Sequence, residues 1–179
     1  MKPCQAVAFL DRDGVLIEDV HYLSRPDQLR LRPGVPQALR ELQRLGFRLA
    51  VVTNQSGVAR GYLSLAQLHR VHRLLALRLQ QEGVYGLEFL VCPHHPSERC
   101  GCRKPGTFLA LQYFRRHPEV CRGIVVGDRA SDMAFAQRLG FPGFCVGTCG
   151  LYNAPEIVGS FPGLPEVVQW LKQHPGFPS

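Results

Sequence analysis

Two acids one residue apart, Asp11 and Asp13, close the apolar run Val7-Ala8-Phe9-Leu10 and are followed at once by Gly14. A run with no polar alternation suits a strand buried on both faces of a parallel sheet. The chemistry of such a sheet gathers at the carboxyl ends of its strands. On an extended chain residues i and i+2 point the same way, so the two carboxylates share a side and repel unless a cation or a shared proton relieves them. Paired acids of this kind suit a divalent metal, a nucleophile and a proton carrier. An Asp-Gly turn without chemistry is the plain alternative.

Other apolar runs also end in polar residues. Leu49–Val52 leads into Thr53-Asn54-Gln55-Ser56-Gly57, and Ile124–Val126 into Gly127-Asp128-Arg129, with Asp132 beyond; Arg103-Lys104-Pro105 stands just before a helical segment. Phosphoryl transfer needs this combination. Acids hold Mg²⁺, a hydroxyl and backbone N–H groups hold phosphate oxygens, and a lysine offsets the developing charge. Asp132 reads either as support for the metal site or as an acid near a helix N-terminus, where the dipole favours it.

A second constellation lies in between. Cys92-Pro93-His94 and Cys100-Gly101-Cys102 form two chelating pairs across a short loop. Three thiolates and one imidazole make a closed tetrahedral Zn²⁺ site, and a site with no open position is structural. His95 competes with His94 as the ligand, but on an extended segment His94 shares a side with Cys92. The expected zinc loop spans residues 92–102 and sets Arg103 and Lys104 beside it.

The elements that must position these residues alternate strand and helix, the pattern of an α/β sheet. Strands are expected at 7–10, 49–52, 87–91, 124–126 and 143–146. Helices are expected at 35–45, from a capping box at Ser64 to about 82, at 106–116, at 132–139 and at 165–173. The 179 residues suffice for one domain with a substantial core, and 20% charged residues is ordinary for a soluble protein. The N-terminus lacks the apolar stretch of a signal peptide, and no run reaches membrane-spanning length, so a cytoplasmic protein without a membrane partner is expected. The +7 charge, from 21 basic and 14 acidic residues, fits an anionic substrate or nucleic acid. Aromatic residues are not interleaved with the basic ones as a stacking groove requires, so no nucleic acid is expected. Seven cysteines cannot all pair within one chain. Cys4, Cys121 and Cys145 lie in or beside apolar segments and read as small core residues, whereas Cys149 has no assignment.

Asp11-Arg12-Asp13-Gly14, Thr53-Asn54-Gln55, Lys104-Pro105 and Gly127-Asp128, in that order over about 120 residues, resemble the motifs of the haloacid dehalogenase superfamily of phosphatases. The resemblance implies a Rossmann-like three-layer sandwich around a central parallel sheet, without a large cap. It implies Asp11 as nucleophile, Asp13 as general acid and base, and Thr53 and Lys104 as the grip on the phosphoryl group. Mg²⁺ would be held by Asp11, Asp128 and the backbone carbonyl of Asp13. Val15 departs from the threonine common at that position. The cysteine cluster and the stretch 53–61 resemble the heptose-bisphosphate phosphatases of this superfamily, while the short loop from Pro96 to Arg99 is more like the histidinol-phosphate phosphatases. The first branch implies removal of the 7-phosphate of D-glycero-D-manno-heptose 1,7-bisphosphate in nucleotide-activated heptose synthesis for surface polysaccharide. The second implies histidine biosynthesis. A polynucleotide 3′-phosphatase and a non-catalytic zinc-stabilised binding module are the remoter readings. By the same carry-over Asp19, His21, Tyr22, Asn54, Gln55, Ser56, Arg103 and Arg129 bind a phosphorylated sugar, and the enzyme acts as a monomer.

Overall fold

The computed structural model describes residues 4–151 and 154–177. Six strands form one sheet: β1 (Gln5–Leu10), β2 (Phe47–Asn54), β3 (Glu88–Cys92), β4 (Val120–Gly127), β5 (Gly143–Val146) and β6 (Ile157–Phe161). Every pairing is parallel and the order is β3-β2-β1-β4-β5-β6. The helices between them are α1 (Val35–Arg44), α2 (Leu65–Gln81), α3 (Phe108–Arg116), α4 (Ala130–Leu139) and α5 (Leu164–Gln173). Chain order reverses at β1, which lies between β2 and β4. In open parallel sheets this switch point opens a crevice beyond the carboxyl ends of the strands.

The period of two along each strand sorts its side chains between two cores. Ala6, Ala8 and Leu10 pack with α1, α2 and α5, through residues such as Leu39, Leu75 and Val167. Val7 and Phe9 face the other way, onto Tyr113 of α3 and Phe135 of α4. Phe9 is the hub of that second layer, with ring centroids of Tyr113, Phe114, Phe135 and Phe141 between 5.4 and 6.3 Å away. Burial of β1 on both faces is therefore why its sequence shows no polar alternation.

Helix starts follow local chemistry. Ser64 caps α2 by accepting from the Gln67 N–H at 3.1 Å, and the Gln67 side chain accepts from the Ser64 N–H at 2.7 Å. Both halves of the expected capping box are thus formed. Among the described residues no helix is long and apolar enough to cross a membrane.

Several sequence expectations change, among them the start of α3, which is Phe108 rather than Gly106. The edge strand β6 was not foreseen: its residues are only partly buried, and Gly159 and Ser160 interrupt the apolar run. α4 begins at Ala130 rather than Asp132. Cys4 and Cys121 are exposed, not core residues, and are joined by a disulfide. The register moves between Gln5↔Val120 and Ala6↔Arg122, so Cys121 is the residue left out of the ladder and turns outward. Cys145 is buried as expected but pairs with Cys149, which closes the turn after β5.

Candidate active site

A cavity of about 390 Å³ opens at the carboxyl ends of β1, β2 and β4. Asp11 follows directly on β1 and is nearly buried. Its Oδ1 accepts from the Arg12 N–H at 2.8 Å and lies 2.9 Å from Lys104 Nζ. Lys104, also buried, donates to the Val52 carbonyl at 2.6 Å and pairs with Asp132 at 2.6 Å. Burial lifts Asp11 to about 7, with Lys104 opposing the shift and Asp132 and Asp13 adding to it. Lys104 is pushed upward: burial works against its charge, but Asp11 and Asp132 outweigh it. The ammonium is thus a fixed cation between two buried acids.

Asp128, at the end of β4, completes a three-acid cluster. Oxygens of Asp11, Asp128 and Asp132 all lie within 4.8 Å of one another. Asp128 Oδ1 is buried without a hydrogen-bond partner, and Arg129 Nε stands 3.9 Å away. Burial and the neighbouring Asp132 raise the Asp128 carboxyl. An orphaned carboxylate oxygen among converging acids fits a hard divalent cation with oxygen ligands. Two glycines allow the crowding. A Cβ on Gly14, whose φ is +77°, would stand 2.1 Å from Asp128 Oδ2, and one on Gly127 would stand 2.1 Å from Asp132 Cβ. Asp132 accepts from the Arg129 N–H at 3.0 Å at the start of α4, as an acid near a helix N-terminus should, and it also pairs with Lys104.

The repulsion expected between Asp11 and Asp13 is relieved by two separate cations. β1 ends at Leu10, so strict alternation does not continue through Asp13. The Asp13 carboxylate lies outside the three-acid cluster and accepts from Arg12 Nε and Nη2 at 2.9–3.2 Å and from Gln55 Nε2 at 2.9 Å. Gln55 also donates to Thr53 Oγ1 at 2.7 Å and accepts from Arg12 Nη2 at 3.0 Å. Its amide therefore serves the pocket wall. Asn54 behaves likewise: Oδ1 accepts from the Lys104 N–H at 2.9 Å and Nδ2 donates to the Lys104 carbonyl at 3.2 Å. Arg12 is 1% exposed, and sequence reasoning gave it no role of its own. An arginine between two acids at the end of an apolar run was the available signal.

Asp19, His21, Tyr22, Ser56, Arg103 and Arg129 all line the cavity. Asp19 pairs with Arg129 at 3.0 Å, joining the loop after β1 to the start of α4. His21 and Tyr22 take left-handed backbone conformations, with φ of 37° and 50°. Arg103 Nη1 is buried without a hydrogen-bond partner.

The cysteine cluster adjoins this wall. Cys92, His94, Cys100 and Cys102 bring sulfur and Nδ1 atoms to 3.1–3.6 Å of one another in the resolved contacts. Zn–S bonds of about 2.3 Å in tetrahedral array set ligand atoms roughly 3.7 Å apart, so the donor set and its spacing fit zinc. His95 is directed elsewhere: its Nδ1 accepts from the Ser97 N–H at 3.2 Å.

A family model described as "HAD-hyrolase-like" matches residues 101–168. A D-glycero-alpha-D-manno-heptose-1,7-bisphosphate 7-phosphatase of Mycobacterium bovis is 44% identical over 135 residues, 73% of this chain and 71% of its own. The corresponding beta-named enzyme of Helicobacter pylori J99 is 32% identical over 92% of this chain and 95% of its own. The chain belongs to the D-glycero-D-manno-heptose-1,7-bisphosphate 7-phosphatase family. A solved member of that heptose-bisphosphatase family, from B. bronchiseptica and complexed with magnesium and phosphate, superposes with a TM-score of 0.85. It is 30% identical and the match covers 95% of this chain and 99% of that one. The six-stranded parallel sheet with flanking helices is thus the haloacid dehalogenase fold expected from the motifs.

Proposed function

We propose that this phosphatase removes the 7-phosphate of D-glycero-D-manno-heptose 1,7-bisphosphate with the help of Mg²⁺, acting as a single chain in nucleotide-activated heptose synthesis. The observation that carries the chemistry is the buried Lys104 bridge between Asp11 and Asp132, beside the orphaned oxygen of Asp128. Asp11, Asp128 and the Asp13 carbonyl would hold the ion, which would offset charge on the phosphoryl oxygens.

In this reading an Asp11 carboxylate oxygen attacks phosphorus and the bond from phosphorus to the sugar oxygen breaks. The leaving alkoxide takes the proton of Asp13. Water then gives a proton to Asp13 and attacks the aspartyl-phosphate, which frees phosphate and restores Asp11. Lys104 and Thr53 hold the transferring group. Arg103 supplies a guanidinium for the distal anionic end of the sugar, a role that its unpartnered Nη1 supports. Zn²⁺ on Cys92, His94, Cys100 and Cys102 would fix the loop that carries Arg103 and Lys104.

Histidinol phosphate ends in an amine and an imidazole, which a guanidinium disfavours when they are protonated. The test is phosphate release from the two substrates with Mg²⁺. The heptose bisphosphate is expected to have the higher kcat/KM, with loss at the 7-position. Arg103→Ala should reduce that advantage by about 2–3 kcal/mol. An equal or higher kcat/KM for histidinol phosphate overturns the substrate assignment.

A further inference from the structure

His72 lies on the inner face of α2 with Leu68, Leu75 and Leu79, and is 4% exposed. Burial, together with the charge of Arg12 and the nearby His69, lowers it to about 3, so the imidazole is neutral. Its Nε2 stands 3.0 Å from Arg12 Nη1. A guanidinium only donates, so Nε2 is the acceptor and the ring proton is on Nδ1. The ring stacks on Phe89 of β3, with centroids 4.4 Å apart and planes 11° apart. One face of the imidazole is thus fixed by an aromatic wall and its edge by Arg12.

Arg12 is held at three points. Nη1 meets His72, Nη2 meets Gln55, and Nε with Nη2 meets both oxygens of Asp13. A planar guanidinium held in this way cannot turn without breaking contacts on two elements. We propose that His72, acting through Arg12, is a positioning residue that fixes the direction of the Asp13 carboxyl toward the substrate's leaving oxygen. The proposal rests on the reading of Asp13 as the group that protonates the alkoxide. It adds a residue on a helix outside the cavity, since His72 does not line the pocket.

The experiment follows release of the alcohol, and so the first step alone, from two phosphate esters in single turnover with enzyme in excess. The heptose bisphosphate loses an alkoxide and needs a proton; p-nitrophenyl phosphate loses a phenolate that departs without one. Asp13→Asn is the reference and should slow the alkyl ester at least tenfold more than the aryl ester. His72→Leu, which keeps the bulk but removes the acceptor, should show the same selectivity. It should slow the alkyl ester about tenfold or more and the aryl ester no more than about threefold. His72→Gln, which restores an acceptor, should recover most of the alkyl rate. Arg12→Lys, which keeps the charge but cannot span His72 and Asp13, gives the same comparison where His72→Leu does not fold.

If Asp13→Asn is selective while the His72 and Arg12 variants slow both esters equally, or neither, the positioning role is wrong and Asp13 keeps its own. If Asp13→Asn slows both esters equally, the reading of Asp13 fails and the proposal falls with it.

Discussion

Asn54 grips Lys104 by both backbone polar groups, accepting from its N–H and donating to its carbonyl. The end of β2 therefore sets the height at which the lysine enters between Asp11 and Asp132. Asn54→Ala removes both bonds, each worth about 1 kcal/mol. The variant should lose about 10- to 100-fold in kcat/KM and melt at a lower temperature. An unchanged melting temperature with weaker substrate binding would instead make Asn54 a substrate contact, and kinetics with thermal unfolding separates the two.

Asp11→Asn keeps the shape of the side chain and its neighbours but removes the attacking charge. Turnover should fall by about three orders of magnitude or more while the fold survives. Phosphate release and circular dichroism on the same preparation check this. A variant retaining a tenth of the wild-type rate excludes Asp11 as the nucleophile.

One tightly held zinc per chain is expected from protein purified without chelator. Cys100→Ser combined with Cys102→Ser should release it, lower the melting temperature and reduce activity, because Lys104 follows Cys102 by two residues. Elemental analysis without zinc, or a double variant with normal stability and turnover, counts against the site.

His72 gives the stability a pH dependence of definite sign. Its value falls from 6.5 in the unfolded chain to about 3 in the fold. Between those values the unfolded chain binds the extra proton. The contribution is fully present above about pH 6.5 and is lost as pH falls toward 3, with a slope of up to about 1.4 kcal/mol per pH unit. Denaturant titrations from pH 7 to pH 4 should therefore show a shallower decline in His72→Gln than in the parent. Parallel declines would mean that His72 is protonated in the fold.

Much of this arrangement was legible in the residues. The double-sided burial of β1 shows in Val7–Leu10, and the acids at strand ends follow from parallel-sheet logic. The two chelating pairs announce themselves by spacing. The partners of Asp13 were not legible, because a turn after Leu10 breaks the alternation on which the sequence argument relied. His72 could have been found: it falls four residues after Leu68 and three before Leu75, on the stripe that must face inward. A lone histidine on such a stripe usually packs without a role, so only the contact with Arg12 distinguishes it. Cys121 was misplaced because a one-residue bulge reverses which side of a strand a residue faces.

Gly14 and Gly127 have a consequence for how the pocket performs work. With no side chain at either position, main chain lies directly against the carboxylates of Asp128 and Asp132. The acids rest on the ends of the sheet itself, with nothing compressible between. The acids, and the Lys104 ammonium that Asp132 holds, are thus set in place before a phosphate arrives, so little reorganisation energy is added to the barrier when charge moves. The rim at Tyr22 and Arg129 is exposed, although the Tyr22 ring also rests on main chain at Gly57 and Arg129 is paired with Asp19. Substitutions there leave the glycine backing of Asp128 and Asp132 untouched.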